Sequence, residues 1–469
     1  MIASPAFSGK RYAVLGLARS GRAVVDALAA SGAEVMAWDQ SEKAREELRS
    51  SLPQSGGEGD HSKGGGGVTG SAAEPITPPQ GSAWSPSPSG DGEARVRLAD
   101  PLVTALYGYD GVVVSPGVPL NRHPIADRAR NADVPLIGDI ELFAQARATL
   151  PPHKVVGITG TNGKSTTTAL IHHICRTAGL PATMAGNIGY PILGQDPLPE
   201  NGVYVLELSS YQIDLTQSLD CDVSVLLNIS PDHLDRYDGV DDYAASKARL
   251  FAMQSPAHIA VIAIDDDYTR AIAGTIVGTK VLVSAEDVKN QTHWPSLQGP
   301  HNGQNVAAAV AAARALGIAD DAIALGLATY RGLPHRMERV AERNGVLYVN
   351  DSKATNPNSA APALAAYAKV HWIVGGLPKS GDLDACEPFL DHVQAAYTIG
   401  EAGPMFADLL EGKVPVRRCE MLHEAVSCAA RAAAPGEVVL LSPACASFDQ
   451  FRDYEARGDA FRAAVEALV

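Results

Sequence analysis

Lys154-Val-Val-Gly-Ile-Thr159-Gly160-Thr161-Asn162-Gly163-Lys164-Ser165-Thr166 is the stretch on which the fold turns. Lys154 to Thr159 reads as a short strand that runs straight into a glycine-bounded loop. Thr166 to Ala178 reads as a helix, with Gly179 placed as its C-terminal cap. Strand, glycine loop and helix in that order form the setting of a phosphate-binding loop. Glycines let backbone N–H groups converge on phosphate, Lys164 reaches the β and γ oxygens, and the Ser165 hydroxyl can hold Mg²⁺. The long form of the motif needs glycine at 158, where Ile158 stands, so this is a shortened G-x-x-G-K-S loop. A glycine turn beside a surface lysine is the competing reading, and the flanking strand and helix weigh against it.

Working outward toward the N-terminus, Tyr12–Leu15 is an apolar run, Gly16–Gly21 a turn, Arg22–Ser31 a helical pattern closed by Gly32, and Glu34–Trp38 a second strand ending at Asp39. That is a β-α-β unit, which implies a parallel sheet. The turn Gly16-Leu-Ala18-Arg-Ser-Gly21 is close to a dinucleotide fingerprint. Ala18, however, replaces the glycine that lets backbone approach a pyrophosphate, so a nicotinamide site is disfavoured. A nucleotide-linked ligand at this edge and a simple packing turn both remain open. Between Pro53 and Gly92, 24 of 40 residues are Gly, Ser or Pro. Such a segment buries too little apolar surface to offset its ordering entropy, and a flexible surface insertion is expected at about 53–92.

Toward the C-terminus, strands are expected at Gly202–Leu208, Val223–Ile229 and Ile259–Ile264, and a helix at Asn305–Leu316. Pro151-Pro152 and Gly332-Leu-Pro-His-Arg336 read as joints, and α/β alternation resumes from Val346. The economical architecture is α/β with three domains: a Rossmann-like domain at 1–137, a P-loop ATPase-like domain at 138–333 and a second Rossmann-like domain at 334–469.

Composition narrows the function classes. The chain has 469 residues, 46% hydrophobic and 19% charged, which suits more than one globular core. A net charge of -15 leaves no basic excess to displace phosphate counterions, which argues against a nucleic-acid binder. The six cysteines contain no C-x-x-C pair and read as thiols in a reducing compartment. The opening residues lack a basic segment followed by an apolar run, and no stretch reaches the roughly 18 apolar residues of a membrane span. A cytoplasmic monomer is expected.

Other clusters follow apolar strands, where open parallel sheets place their ligand crevice. Glu207-Leu-Ser209-Ser210 offers a carboxylate suited to Mg²⁺, although a solvated strand-end glutamate is the plainer reading of it alone. Asn228-Ile-Ser-Pro-Asp232-His233-Leu-Asp235-Arg236-Tyr237 sets two acids around a histidine, which can serve a metal or simply cap a helix. Lys247 taken alone is an ordinary helix-surface lysine.

Together, the loop at 160–166, Gly186-Asn187-Ile-Gly189, Glu207-Leu-Ser-Ser-Tyr-Gln212 and Asp232-His233 resemble the Mur ligases of peptidoglycan synthesis. Gly332-Leu-Pro-His-Arg336, Asn350-Asp-Ser-Lys-Ala-Thr-Asn356 and Ser442-Pro-Ala-Cys-Ala-Ser-Phe-Asp-Gln-Phe451 look like the branch that adds D-glutamate. The resemblance spans nearly the whole chain outside the insertion. It implies that ATP phosphorylates the L-alanine carboxylate of UDP-N-acetylmuramoyl-L-alanine, and that the D-glutamate amine then displaces phosphate. By this resemblance Gly160–Thr166, Asn302, Asn305, Arg336 and Asp351 would bind ATP, and Lys164, Glu207, His233, Lys247 and Lys353 would carry catalysis. Two Mg²⁺ ions would be served by Ser165, Glu207, His233 and Lys247, the last as a carbamate. Ser20, Asp39, Ser115, Pro116, Gly117, Asn187, Ser209 and His233 would meet the UDP substrate. Thr355, Lys379, Ser447 and Phe448 would form the D-glutamate pocket. Three other readings stay in view: a folylpolyglutamate synthase-like relative with another acceptor, a nicotinamide-dependent oxidoreductase, and a nucleotide-binding protein without catalysis.

Overall fold

The computed structural model describes residues 1–51 and 96–468; the expected insertion at 53–92 lies outside the described residues. Among the described residues the chain forms three sheets distributed over two compact units.

The first unit comprises Met1–Thr149 together with Leu193–Gln195. Its strands are β1 (Arg11–Leu15), β2 (Glu34–Trp38), β3 (Val96–Leu98), β4 (Gly111–Val114) and β5 (Leu136–Ile137), in spatial order β3-β2-β1-β4-β5. Every pairing is parallel, with Tyr12 opposite Val35 on one side and Gly111 on the other. The helix after β1 spans Arg19–Ala30, so it starts three residues before the expected Arg22 and takes Gly21 into its first turn. Space explains the shift. A Cβ at Gly21 would lie 1.8 Å from the Gly16 carbonyl oxygen, and only glycine lets the helix begin this close to the strand end.

The second unit holds Leu150–Ile192 and Asp196–Val469 and contains two sheets. Strands β6 (His153–Thr159), β7 (Ala182–Gly186), β8 (Gly202–Glu207), β9 (Val223–Leu226), β10 (Ile259–Ala263) and β11 (Thr279–Val283) form an all-parallel sheet in the order β11-β10-β9-β6-β8-β7. β6 is central and fully buried over Val155–Thr159, as its apolar run requires. The following helix spans Lys164–Thr177, two residues earlier at its start than expected, and β9 stops at Leu226, short of the expected Ile229. The alanine-rich helix is Pro300–Ala315. Its Ala308, Ala309, Ala312 and Ala313 are completely buried, and small side chains let it pack against both the sheet and the helix Lys164–Thr177.

The last sheet comprises β12 (Glu338–Arg343), β13 (Val346–Asn350), β14 (Val370–Gly375), β15 (Val393–Ile399), β16 (Val416–Glu420) and β17 (Val438–Leu441), in the order β12-β13-β17-β14-β15-β16. Only the β12–β13 hairpin is antiparallel; its tight turn carries Asn344 and Gly345, both at positive φ. Trp372, Val374 and Leu440 face one core of this sheet, while Ile373, Val439 and Leu441 face the other, the alternation expected of strands covered on both sides.

Candidate active site

The glycine loop leaves the C-terminal end of β6. Gly160 has φ +148° and Gly163 φ +82°, and a Cβ on Gly163 would sit 2.1 Å from the Asn305 side-chain oxygen. The helix Lys164–Thr177 begins immediately after, so its first N–H groups, which lack intrahelical acceptors, stand at the loop. Lys164 Nζ donates to the carbonyls of Gly160 and Thr161, each at 2.8 Å.

Lys247 comes from the helix Val240–Ala252 and is only 1% exposed. Its Nζ also donates to the Gly160 carbonyl, at 2.9 Å, and lies 4.4 Å from the centre of the Tyr243 ring. Two amines therefore converge on one backbone oxygen. Burial lowers the pKa of both, most strongly for Lys247, where the Lys164 ammonium adds a further depression. A helix-surface lysine is thus excluded for Lys247.

Glu207 ends β8 and is buried. Its Oε1 accepts from Asn187 Nδ2 at 2.9 Å, while its buried Oε2 has no partner. The Ser165 hydroxyl accepts from Arg336 Nη2 at 3.2 Å, and the Arg336 Nε is buried without a partner. A buried carboxylate oxygen without a partner suits a hard cation, and a buried guanidinium N–H without an acceptor suits an anion. Among the described residues no group of three or more His, Cys, Asp or Glu is arranged as a self-sufficient metal site. That donor set fits Mg²⁺, which takes few protein ligands and completes its shell with phosphate and water.

His233 stands on the loop after β9 with φ +54°, its ring 4.9 Å from that of Tyr211 and its Nε2 3.6 Å from Asp232. Burial lowers its pKa, countered by Asp232 and reinforced by Lys247 and Lys164. The neutral imidazole is therefore favoured, as a metal ligand needs.

Asn302, Asn305, Arg336 and Asp351 line one cavity of about 150 Å³ together with Asn162, Gly163 and Thr166. Sequence reasoning missed Tyr330, Asn358 and Ser359 in the same wall; they carry no motif and meet only in three dimensions. Asp351 accepts from Ser442 Oγ at 2.8 Å and Met337 N at 3.1 Å. Burial pushes its carboxyl up to about 7, against the opposing pull of the Ser442 hydrogen bond and Arg336.

In the last sheet, the loops after β14 and β17 are paired by reciprocal hydrogen bonds between Leu377 and Ala446 at 2.9 and 3.0 Å. Lys379 Nζ donates to Thr355 Oγ1 at 3.1 Å. Ser447 is buried and Phe448 is 69% exposed, both just beyond the Leu377–Ala446 pair. Lys353 Nζ lies 5.2 Å from the Tyr454 ring centre, its pKa lowered by burial and then by Arg336. Beneath these loops is Arg457, another residue that the sequence did not flag. Only 1% exposed, it donates to Ser352 Oγ and to the carbonyls of Ser352, Cys445 and Ala446 at 2.8–3.0 Å.

In the first unit, Ser20, Asp39 and Ser115–Gly117 lie at or just beyond the C-terminal ends of β1, β2 and β4. Asp39 accepts from the N–H groups of Leu17 at 2.7 Å and Ser41 at 2.8 Å, so it shapes the glycine turn. In the second unit, Ser209 caps the helix Ser210–Asp214 in a reciprocal box with Gln212.

Comparison with known proteins agrees with this geometry. Residues 158–295 match the Mur ligase middle domain, and residues 335–445 match the Mur ligase glutamate ligase domain. The UDP-N-acetylmuramoylalanine–D-glutamate ligase of Novosphingobium aromaticivorans is 61% identical over 100% of this chain and 97% of its own length. Those of Sphingopyxis alaskensis and Zymomonas mobilis are 56% and 53% identical, each over 100% of both chains. Among solved structures, the UDP-N-acetylmuramate-alanine ligase MurC of Thermotoga maritima superposes with a TM-score of 0.56 at 16% identity, covering 98% of this chain and 99% of its own. MurF ligase of the same organism, in complex with ADP, gives 0.55 at 18% identity over 76% and 90%. These two likenesses concern the fold, whereas the full-length identities fix the branch. The chain belongs to the Mur ligase family, among the UDP-N-acetylmuramoylalanine–D-glutamate ligases.

Proposed function

We propose that this chain is an ATP-dependent amide-bond-forming ligase that joins D-glutamate to UDP-N-acetylmuramoyl-L-alanine through an acyl phosphate, as a monomer in the cytoplasm. The observation that carries the reading is one juxtaposition. The phosphate loop and the unpartnered Glu207 oxygen stand at the C-terminal ends of the neighbouring interior strands β6 and β8, buried Lys247 donates to the loop, and the loop shares a cavity with Arg336 and Asp351. Residues 1–137 would hold the UDP substrate, 138–333 the ATP and 334–469 the amino acid.

A carboxylate is a poor electrophile, so its oxygen first attacks the γ-phosphorus of ATP and ADP leaves. The D-glutamate amine then attacks the carbonyl carbon of the acyl phosphate, inorganic phosphate departs and the amine proton is lost. Both steps gather negative charge at one point, which calls for cations more than for covalent help. Lys164 and Arg336 would release their present contacts with loop carbonyls and Ser165 to hold phosphate oxygens. Glu207 and Ser165 would hold Mg²⁺, which when bound neutralises charge on the phosphates. Asp351 would accept from the ribose, and Lys379 with Thr355 and Ser447 would receive the D-glutamate carboxylates. Ser20, Asp39 and Ser115–Gly117 in the first unit would meet the UDP end of its substrate.

Lys247 would act as its carbamate. Burial and the Lys164 charge lower the pKa of its amine, which favours the neutral form that adds CO₂, forming an N–C bond and releasing a proton. The carbamate would supply an anionic oxygen suited to a second Mg²⁺, with His233 as a neighbour. The function is tested by ADP release with UDP-N-acetylmuramoyl-L-alanine and a panel of amino acids. Release with D-glutamate is expected; release only with another acceptor would overturn the assignment.

A further inference from the structure

The phosphate loop is clamped from outside by a chain of three side chains with a fixed polarity. Asn228, just after β9, holds the loop at three points. Its carbonyl accepts from Thr161 N at 2.7 Å, its Oδ1 accepts from Asn162 N at 2.8 Å, and its Nδ2 donates to Asn162 O at 3.2 Å. The same Nδ2 donates to Gln304 Oε1 at 2.7 Å. Gln304, only 8% exposed on the helix Pro300–Ala315, turns its Nε2 to Asp265 Oδ2 at 2.6 Å. Asp265, just after β10, also accepts from the Ser284 hydroxyl at 2.6 Å and from Ala285 N.

Donor and acceptor chemistry gives this chain a direction. A carboxylate only accepts, so Gln304 must offer it the NH₂ end and keep its oxygen for Asn228. Asn228 must then offer its own NH₂, which leaves its oxygen for the Asn162 N–H. A flip anywhere would set NH₂ against N–H and oxygen against oxygen. Asn162 N–H is thereby committed to Asn228, and the N–H groups at the start of the next helix are left for phosphate.

We propose that Gln304 is a positioning residue of the nucleotide site: it transmits the polarity of Asp265 to Asn228, which holds Thr161–Asn162 in the shape that admits a triphosphate. The inference rests on the ATP-binding reading above and adds to it a residue that lines the same cavity and is hydrogen-bonded to the loop only through Asn228.

The test is calorimetric binding of ADP and of a non-hydrolysable ATP analogue to the full-length protein. Steady-state KM values for all three substrates and Tm are measured alongside. Gln304→Met removes both hydrogen bonds at nearly constant length. It should weaken nucleotide binding roughly tenfold, the scale of one uncompensated hydrogen bond. KM for the UDP substrate and D-glutamate should stay within about twofold, because the chain reaches only the phosphate loop. Asp265→Ala should give a similar loss, and the double variant should be no worse than either single one. The exchange Asp265→Asn with Gln304→Glu rebuilds the chain with unchanged polarity toward Asn228, and should recover most of the binding that Gln304→Glu alone loses.

Unchanged binding in Gln304→Met, additive losses in the double variant, or an exchange no better than Gln304→Glu would each overturn the proposal. If Gln304→Met does not fold, the exchanged pair, which keeps both hydrogen bonds, decides the question. A wild-type protein that binds no nucleotide would remove the ATP reading and this inference together. Wild-type binding with unchanged variants removes the inference alone.

Discussion

Lys164 and Lys247 both donate to the Gly160 carbonyl, and that shared oxygen makes Lys247 chemically unusual. From the sequence, Lys247 had two readings, a surface lysine and a modified one; its 1% exposure removes the first. Lys247→Ala is expected to lose at least about a hundredfold in kcat, the scale of an electrostatic group lost from a reacting centre. Formate or acetate should restore part of that activity by supplying the missing carboxylate oxygens, and steady-state ADP release with and without them is the measurement. No restoration would count against the carbamate while leaving the ligase assignment intact. Asp351 offers a second check. Its carboxyl titrates near 7 in the folded protein and near 3.8 when unfolded. Between those values only the unfolded chain releases the proton, so the contribution of Asp351 to stability falls as pH rises through that window. In the ligand-free protein Asp351→Asn should therefore raise Tm by a few degrees at pH 8, with a smaller gain at pH 5. An equal gain at both pH values would show that its titration is not the cause.

At the scale of elements, loops at the C-terminal ends of the strands carry the site, and glycines without Cβ decide how closely they approach. Gly376, with φ +134°, would place a Cβ 2.3 Å from the Ala446 carbonyl that pairs with Leu377. Gly376→Ala should separate the loops bearing Lys379 and Ser447, raising KM for D-glutamate tenfold or more by the scale of a displaced buried contact. ATP affinity should change by less than about threefold, since distant sites act independently. Equal effects on both substrates would point to general unfolding. Arg457→Leu should leave the carbonyls of Ser352, Cys445 and Ala446 without this donor, lowering stability by about 3 kcal/mol. Chemical denaturation measures it, and a loss under about 1 kcal/mol would show that water replaces the guanidinium. The strands and the phosphate loop were legible in the sequence because apolar runs and glycine spacing are local signals. The early starts of the helices at Arg19 and Lys164 were not, since each depends on which carbonyl or side chain the missing Cβ would have met.

At the scale of the whole molecule, the cavity proposed for the nucleotide draws on the middle and last sheets of the second unit, with Arg336 on the connection between them. Nucleotide should consequently stabilise that unit as a body. At a hundred times Kd the gain is about 2.7 kcal/mol. A thermal melt should show the shift in wild type and a much smaller one in Arg336→Ala at the same ADP concentration; equal shifts would place Arg336 outside the nucleotide contacts. No helix among the described residues is long and apolar enough to cross a membrane.

The sequence by itself determined the α/β class, the glycine loop between strand and helix, and the family. These are written in short-range spacing: apolar strands, glycines at a turn, a lysine and serine at fixed offsets. Tertiary structure alone decided which of those residues meet and in what state. It left one oxygen of Glu207 unpartnered, brought two lysines onto one carbonyl, and linked Asp265 through Gln304 to the phosphate loop. Such facts depend on desolvation and hydrogen-bond partners across tens to hundreds of residues, and no local pattern encodes them.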